Sequence, residues 1–122
     1  MSRNITISYQ KDSSSERTAI EVPPPYFLLG TQSTSMRFWS IPKLNEIGIK
    51  RLTELDVSDP VYYFGWGEIA QLERELLSLQ RNLAAIDFDA EIKAEWLSHL
   101  IYCFELLILT APTDSTPVFG IG

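Results

Sequence analysis

Six aliphatic residues, Ile69, Leu72, Leu76, Leu79, Leu83 and Ile86, recur at spacings of 3, 4, 3, 4 and 3. A chain that repeats apolar side chains this way makes a helix with a narrow stripe, and that stripe must be covered by another element. A second helix comes at once. Ile92, Trp96, Leu100, Cys103, Phe104 and Leu107 fall on one helical side. Asp87-Phe88-Asp89 separates the two, with Asp89 placed as N-cap, and Thr110-Ala111-Pro112 stops the second. So short a connection predicts an antiparallel αα-hairpin.

The first half reads differently. Ile5, Ile7 and Tyr9 alternate with polar neighbours, and Thr18, Ala19, Ile20 and Val22 come after a polar turn at residues 12–16, so residues 4–22 read as a β-hairpin. Pro23-Pro24-Pro25 ends it. Tyr26–Gly30 reads as a short buried strand, 31–35 as a loop and Met36–Trp39 as another short strand. Ser40 looks like an N-cap ahead of Pro42, and residues 41–57 fit either one helix or two pieces around Gly48. Val61–Phe64 is rich in strand formers, and Pro117–Ile121 reads as a last strand returning to the sheet. The predicted class is α+β: an N-terminal hairpin and short strands in a mainly antiparallel sheet, packed by a C-terminal helical hairpin. At 122 residues, with no long linker, one domain over 1–122 is expected.

Charge is unevenly spread. Residues 1–60 carry seven acids and seven bases, whereas 61–122 carry nine acids and three bases, so the whole net charge of -6 arises in the second half. Such a surface repels nucleic-acid backbones and anionic membranes and steers basic proteins. It also serves plain solubility. A single cysteine, Cys103, cannot form an internal disulfide, and Met1–Ser8 is no signal peptide, so a cytoplasmic location is expected. Asn4-Ile5-Thr6 fits a glycosylation acceptor and is discounted on that ground. The apolar region near Leu100–Leu109 is too short and polar to span a bilayer.

Catalytic patterns are scarce. Gly65-Trp66-Gly67-Glu68-Ile69-Ala70 matches the dinucleotide fingerprint, but a second helix stands where a parallel strand is needed. Glu68 also puts a carboxylate where pyrophosphate would sit, a placement that suits the helix dipole instead. His99, the one histidine, lies four residues from Glu95 and from Cys103. A Glu–His–Cys edge could hold a metal or activate a thiol, but nothing else completes the shell. A buried inert thiol and a boundary histidine are the stronger reading. No cofactor or metal is expected, and phosphate-loop and nucleophile-elbow patterns are absent.

The feature that points to function is the outer face of the last helix. Glu91, Glu95, Ser98, Tyr102 and Glu105 repeat at spacings of 4, 3, 4 and 3 opposite its apolar side, with no Lys or Arg among them. Charge for steering and a tyrosine for anchoring are what a surface for a basic protein requires, and an ordinary solvated face has the same composition. Trp66, beside Tyr62 and Tyr63, is either a contact residue or part of a joint between sheet and helices, the joint being the stronger reading. The candidate partner-binding set is Glu91, Glu95, Ser98, Tyr102, Glu105, Trp66 and Glu68.

The segment Asp59-Pro60-Val61-Tyr62-Tyr63-Phe64-Gly65-Trp66-Gly67-Glu68-Ile69, with an acidic helical pair after it, resembles small bacterial immunity proteins of polymorphic or contact-dependent toxin systems. The likeness covers about the second half of the chain and rests on layout, size and acidity. It implies a protein that binds a cognate toxin domain, often a basic nuclease, and blocks it without chemistry of its own. It implies no particular contact residues. Two other classes stay open: a homodimeric assembly protein using the helical hairpin, and a small enzyme whose carboxylates meet only in space.

Overall fold

The computed structural model describes residues 2–122. Its spine is β1, Ser2–Lys11, in which Arg3, Ile5 and Ile7 are buried. One edge of β1 is shared by two strands. β2, Arg17–Ile20, pairs with its C-terminal part (Ile7 opposite Ile20), and β3, Leu28–Thr31, pairs with its N-terminal part (Asn4 opposite Leu28). All these pairings are antiparallel. The hairpin expected over 4–22 is present, and the strand expected at Tyr26–Gly30 begins two residues later.

A correction falls on residues 31–39. Read as a loop and a strand, they instead form a helix, α1, Gln32–Trp39. The Thr31 hydroxyl oxygen accepts from the Thr34 amide at 3.2 Å and caps it. Ser35, Phe38 and Trp39 are all buried. Their i, i+3, i+4 spacing belongs to a helix, and four residues are too few to separate that period from alternation. Ser40 is therefore the C-cap of α1, its amide donating to the Met36 carbonyl, and not the N-cap of the next helix. Residues 41–57 divide into two pieces, α2 at Pro42–Glu46 and a 3-10 turn at Leu52–Asp56, separated at Gly48, where φ is +94°.

β4, Val61–Phe64, leads directly into α3, Gly65–Asn82, through Gly65 at φ +81°. A 3-10 turn at Leu83–Ala85 and Asp89, whose side chain accepts from the Ile92 amide at 2.9 Å, connect α3 to α4, Ala90–Thr110. The ammonium of Lys93 donates to the carbonyls of Leu83 and Ile86 at 2.8 and 2.7 Å, tying the first turn of α4 to the connection that precedes it. β5, Ser115–Ile121, then runs between β1 and β4. Pro117 sits one position beyond the last β4 pairing, where a missing N–H costs that ladder nothing. The sheet is five-stranded and antiparallel, in the order β2-β1-β5-β4, with β3 beside β2 on β1.

The helices cover one face of the sheet. Ile5, Ile7, Tyr63, Phe119 and Ile121 from the strands meet Leu72, Leu76, Leu79, Leu100, Cys103 and Leu107 from α3 and α4 in one buried cluster. The stripe that begins at Ile69 is thus satisfied within the chain. Arg3 is also buried, on the core side of β1, where its guanidinium donates to the Ser35 hydroxyl at 3.2 Å and the Leu55 carbonyl at 2.8 Å.

Two glycines with positive φ make a test of this packing. At Gly30, φ is +74° and an added Cβ would lie 2.5 Å from the Trp96 ring; at Gly48 it would meet nothing within 4 Å. Gly48→Ala should cost about 1–2 kcal/mol, the left-handed backbone penalty alone. Gly30→Ala should cost more, by at least about 1 kcal/mol of overpacking. Urea unfolding of both variants reads the difference; equal losses would contradict the placement of Trp96.

Candidate protein-binding surface

Both long helices have, beside their buried stripe, a flank that fastens an earlier piece of chain. On α3 that flank is Glu68, Gln71, Glu75 and Ser78. The buried Glu75 carboxylate accepts the amides of Lys50, Arg51 and Leu52 at 3.2, 3.1 and 3.1 Å on one oxygen. Its other oxygen takes the Tyr63 hydroxyl at 3.3 Å and the Gln71 side-chain amide at 3.1 Å. It therefore caps the 3-10 turn at Leu52–Asp56 from a distant part of the sequence. Burial, and secondarily the Glu75 charge, hold the Tyr63 phenol protonated far above its ordinary range. The Ser78 hydroxyl donates to the Ile47 carbonyl.

Glu68 completes this flank. It pairs with Arg51 at 2.6 Å and accepts the Phe64 amide at 2.9 Å, while Arg51 donates to the Tyr62 carbonyl at 2.9 Å. The pair occupies polar groups of edge strand β4 that would otherwise stand open to another strand. The expected dipole partner at the start of α3 is thus also an edge guard.

On α4 the corresponding flank is Trp96, His99, Tyr102 and Cys103. His99 Nδ1–H donates to the Leu28 carbonyl at 2.7 Å, and the Cys103 thiol donates to the Tyr26 carbonyl at 3.2 Å. Tyr102 stacks on Tyr26, with ring centroids 3.9 Å apart. The Glu95–His99–Cys103 edge is resolved by this: its two inner members dock the segment that enters β3, and Glu95 is exposed. Among the described residues, no three His, Cys, Asp or Glu side chains are grouped to hold a metal.

The candidate contact residues therefore separate. Glu91, Glu95, Ser98 and Glu105 lie exposed on the outer face of α4, whereas Tyr102 is half-buried against Tyr26. Glu68 is engaged as above. Trp66 is 37% exposed, its indole N–H donating to the Ser115 carbonyl at 2.9 Å, so it joins α3 to the start of β5. The two ion pairs among the described residues are Lys43–Glu46 and Arg51–Glu68, and neither involves the α4 face.

The remaining flanks of α3 and α4 face each other across the outer side of the hairpin and form a groove of about 520 Å³. Glu73, Leu76, Leu77 and Gln80 line it from α3, and Ile101, Phe104, Glu105, Ile108 and Leu109 from α4. Leu77 and Ile108 are each 43% exposed and Leu109 is 83% exposed. Its charged members are both acidic, and Glu105 also belongs to the α4 stripe. Sequence reasoning missed Glu73, Leu77 and Ile108. For Leu77 and Ile108 the signal was an apolar residue directly after a stripe member, Leu76 in α3 and Leu107 in α4.

No helix among the described residues is long and apolar enough to cross a membrane. No protein-family model, curated protein or solved structure matches the chain.

Two titrations test this geometry. Burial pushes the Cys103 thiol up to about 12. The native thiol should therefore resist a disulfide reagent at pH about 8, near the ordinary thiol value, and react fully after denaturation. Fast native reaction would contradict its burial. The Phe64 amide, then Arg51, hold Glu68 below its ordinary range, opposed by slight burial. A lowered carboxylate stabilises the fold above its unfolded value, about 4.3, and that contribution fades as pH falls through the lowered native value. Glu68→Gln should flatten the stability–pH curve in that acid window and leave its slope near neutrality unchanged; an unchanged acid limb would show Glu68 to be unengaged.

Proposed function

We propose that the chain is a non-catalytic, acidic protein-binding module of the immunity type, which binds a basic toxin domain in the cytoplasm and blocks it. The observation that carries this reading is the outer surface of the helical pair. Glu91, Glu95 and Glu105 stand exposed there without an ionic partner among the described residues, next to an apolar groove. Unpaired carboxylates steer a cationic partner, and exposed aliphatic side chains supply the buried contact that holds it. Glu75, the fully buried carboxylate, has both oxygens occupied by donors of the chain itself, which suits a structural role better than acid–base chemistry.

Self-association is the second reading, favoured by the exposure of Leu77, Ile108 and Leu109. It would bring Glu73 and Glu105 of both copies into one interface, where like charges oppose each other. The stripe from Ile69 is not available to it, being covered internally.

The test is capture of a basic partner by the immobilised full chain at low and moderate salt, and then an assay of the partner's own activity. The wild type should retain the partner stoichiometrically and inhibit it. Glu91→Lys with Glu95→Lys should slow association at least about tenfold, an effect that added salt diminishes in the wild type. Association indifferent to both charge reversal and salt, or a retained partner left fully active, would overturn the proposal.

A further inference from the structure

We infer that the groove between α3 and α4 receives one amphipathic α-helix of the partner, its apolar side turned inward and Lys or Arg on both borders. This deepens the reading above and rests on it. The groove runs along two antiparallel helices, and its α3 wall, Glu73 to Gln80, extends over about 10 Å, or two helical turns. Leu76, Leu77, Ile101, Phe104 and Ile108 make its floor and sides apolar. A third helix laid in that valley would place side chains at i, i+3 or i+4 and i+7 against them, as helices in bundles do.

The alternatives fit the lining less well. An extended strand brings unpaired amides and carbonyls, and the lining offers it only three polar side chains, Glu73, Gln80 and Glu105. A lipid surface with anionic headgroups meets two carboxylates. A second copy of this chain gathers four. A helix with basic borders instead meets Glu73 on one wall and Glu105 on the other. Glu105 joins the groove to Glu91 and Glu95 farther along α4, so steering and docking use one continuous surface. The inward anchoring of α3 through Glu75 and Ser78 leaves Glu73 and Leu77 on the opposite flank, so the wall is fixed before a partner arrives.

The probe is a synthetic amphipathic peptide of about four helical turns, with leucines on one side and lysines on both borders. Its counterpart carries glutamates at the borders. Each is titrated into the full chain with methyl NMR detection. The lysine peptide should become helical and shift the methyls of Leu77, Ile101 and Ile108. The glutamate peptide should not bind, Glu73→Lys with Glu105→Lys should weaken binding at least tenfold, about what loss of two favourable charge contacts gives, and Leu77→Asp with Ile108→Asp should abolish it. If that last variant unfolds, Leu77→Ala with Ile108→Ala replaces it and should weaken binding on an intact fold.

Equal binding of both peptides would overturn the inference. So would shifts confined to the Glu91–Ser98 face, or a dimer in sedimentation that Leu77→Asp dissolves. A native partner lost on reversal of Glu91 and Glu95 but indifferent to Leu77 and Ile108 would leave the binding module standing and remove the groove.

Discussion

A single buried carboxylate ties α3 to the loop at residues 50–52 and to β4. Glu75 projects from α3 and takes three successive backbone amides at residues 50–52, together with the Tyr63 hydroxyl from β4. Those amides begin a 3-10 turn and have no partner within it, so the carboxylate meets a demand that the local sequence cannot. A buried carboxylate is costly unless its lone pairs are used, and here five donors of the chain occupy them. Helix, loop and strand are fixed by one group.

The same division of labour recurs on α4. His99 and Cys103 hold the carbonyls of Leu28 and Tyr26, and Trp96 packs against Gly30. Each helix thus has a stripe in the core, a flank that fastens a preceding segment, and a flank left bare. The bare flanks meet in the groove. Because the buried stripes and the fastened flanks together fix the rotation of both helices, the groove's carboxylates and aliphatic side chains have set positions, and preorganisation of this kind lowers the cost of binding.

Much of this was legible in the sequence where the signal was periodic and long. The stripe from Ile69 and the Asp89 cap located the helical hairpin, although α3 stops at Asn82 and leaves Leu83 and Ile86 in the connection, and alternation at Ile5, Ile7 and Tyr9 located β1. Short segments were less decidable. Met36–Trp39 looked like a strand because four residues fit both periods, and Ser40 looked like an N-cap although it ends a helix. The polar anchors were hidden for another reason. Glu75 sits beside the apolar stripe and Arg3 within a β-alternation; the backbone amides that Glu75 takes lie 23 to 25 residues away, and the partners of Arg3 lie 32 and 52 away. No local pattern reports a bond across such a distance. The acidic face of α4 was visible on a helical wheel, but the groove needed the relative rotation of two helices.

The anchoring of α3 through Glu75 contributes to that rotation, and native-state amide hydrogen exchange at Lys50, Arg51 and Leu52 tests it directly. If Glu75 holds these amides, they exchange only through large-scale unfolding, at rates matching the most protected core amides and far slower than a solvated loop. Exchange at loop-like rates would show the carboxylate to be unengaged and would contradict the anchoring of α3 through Glu75.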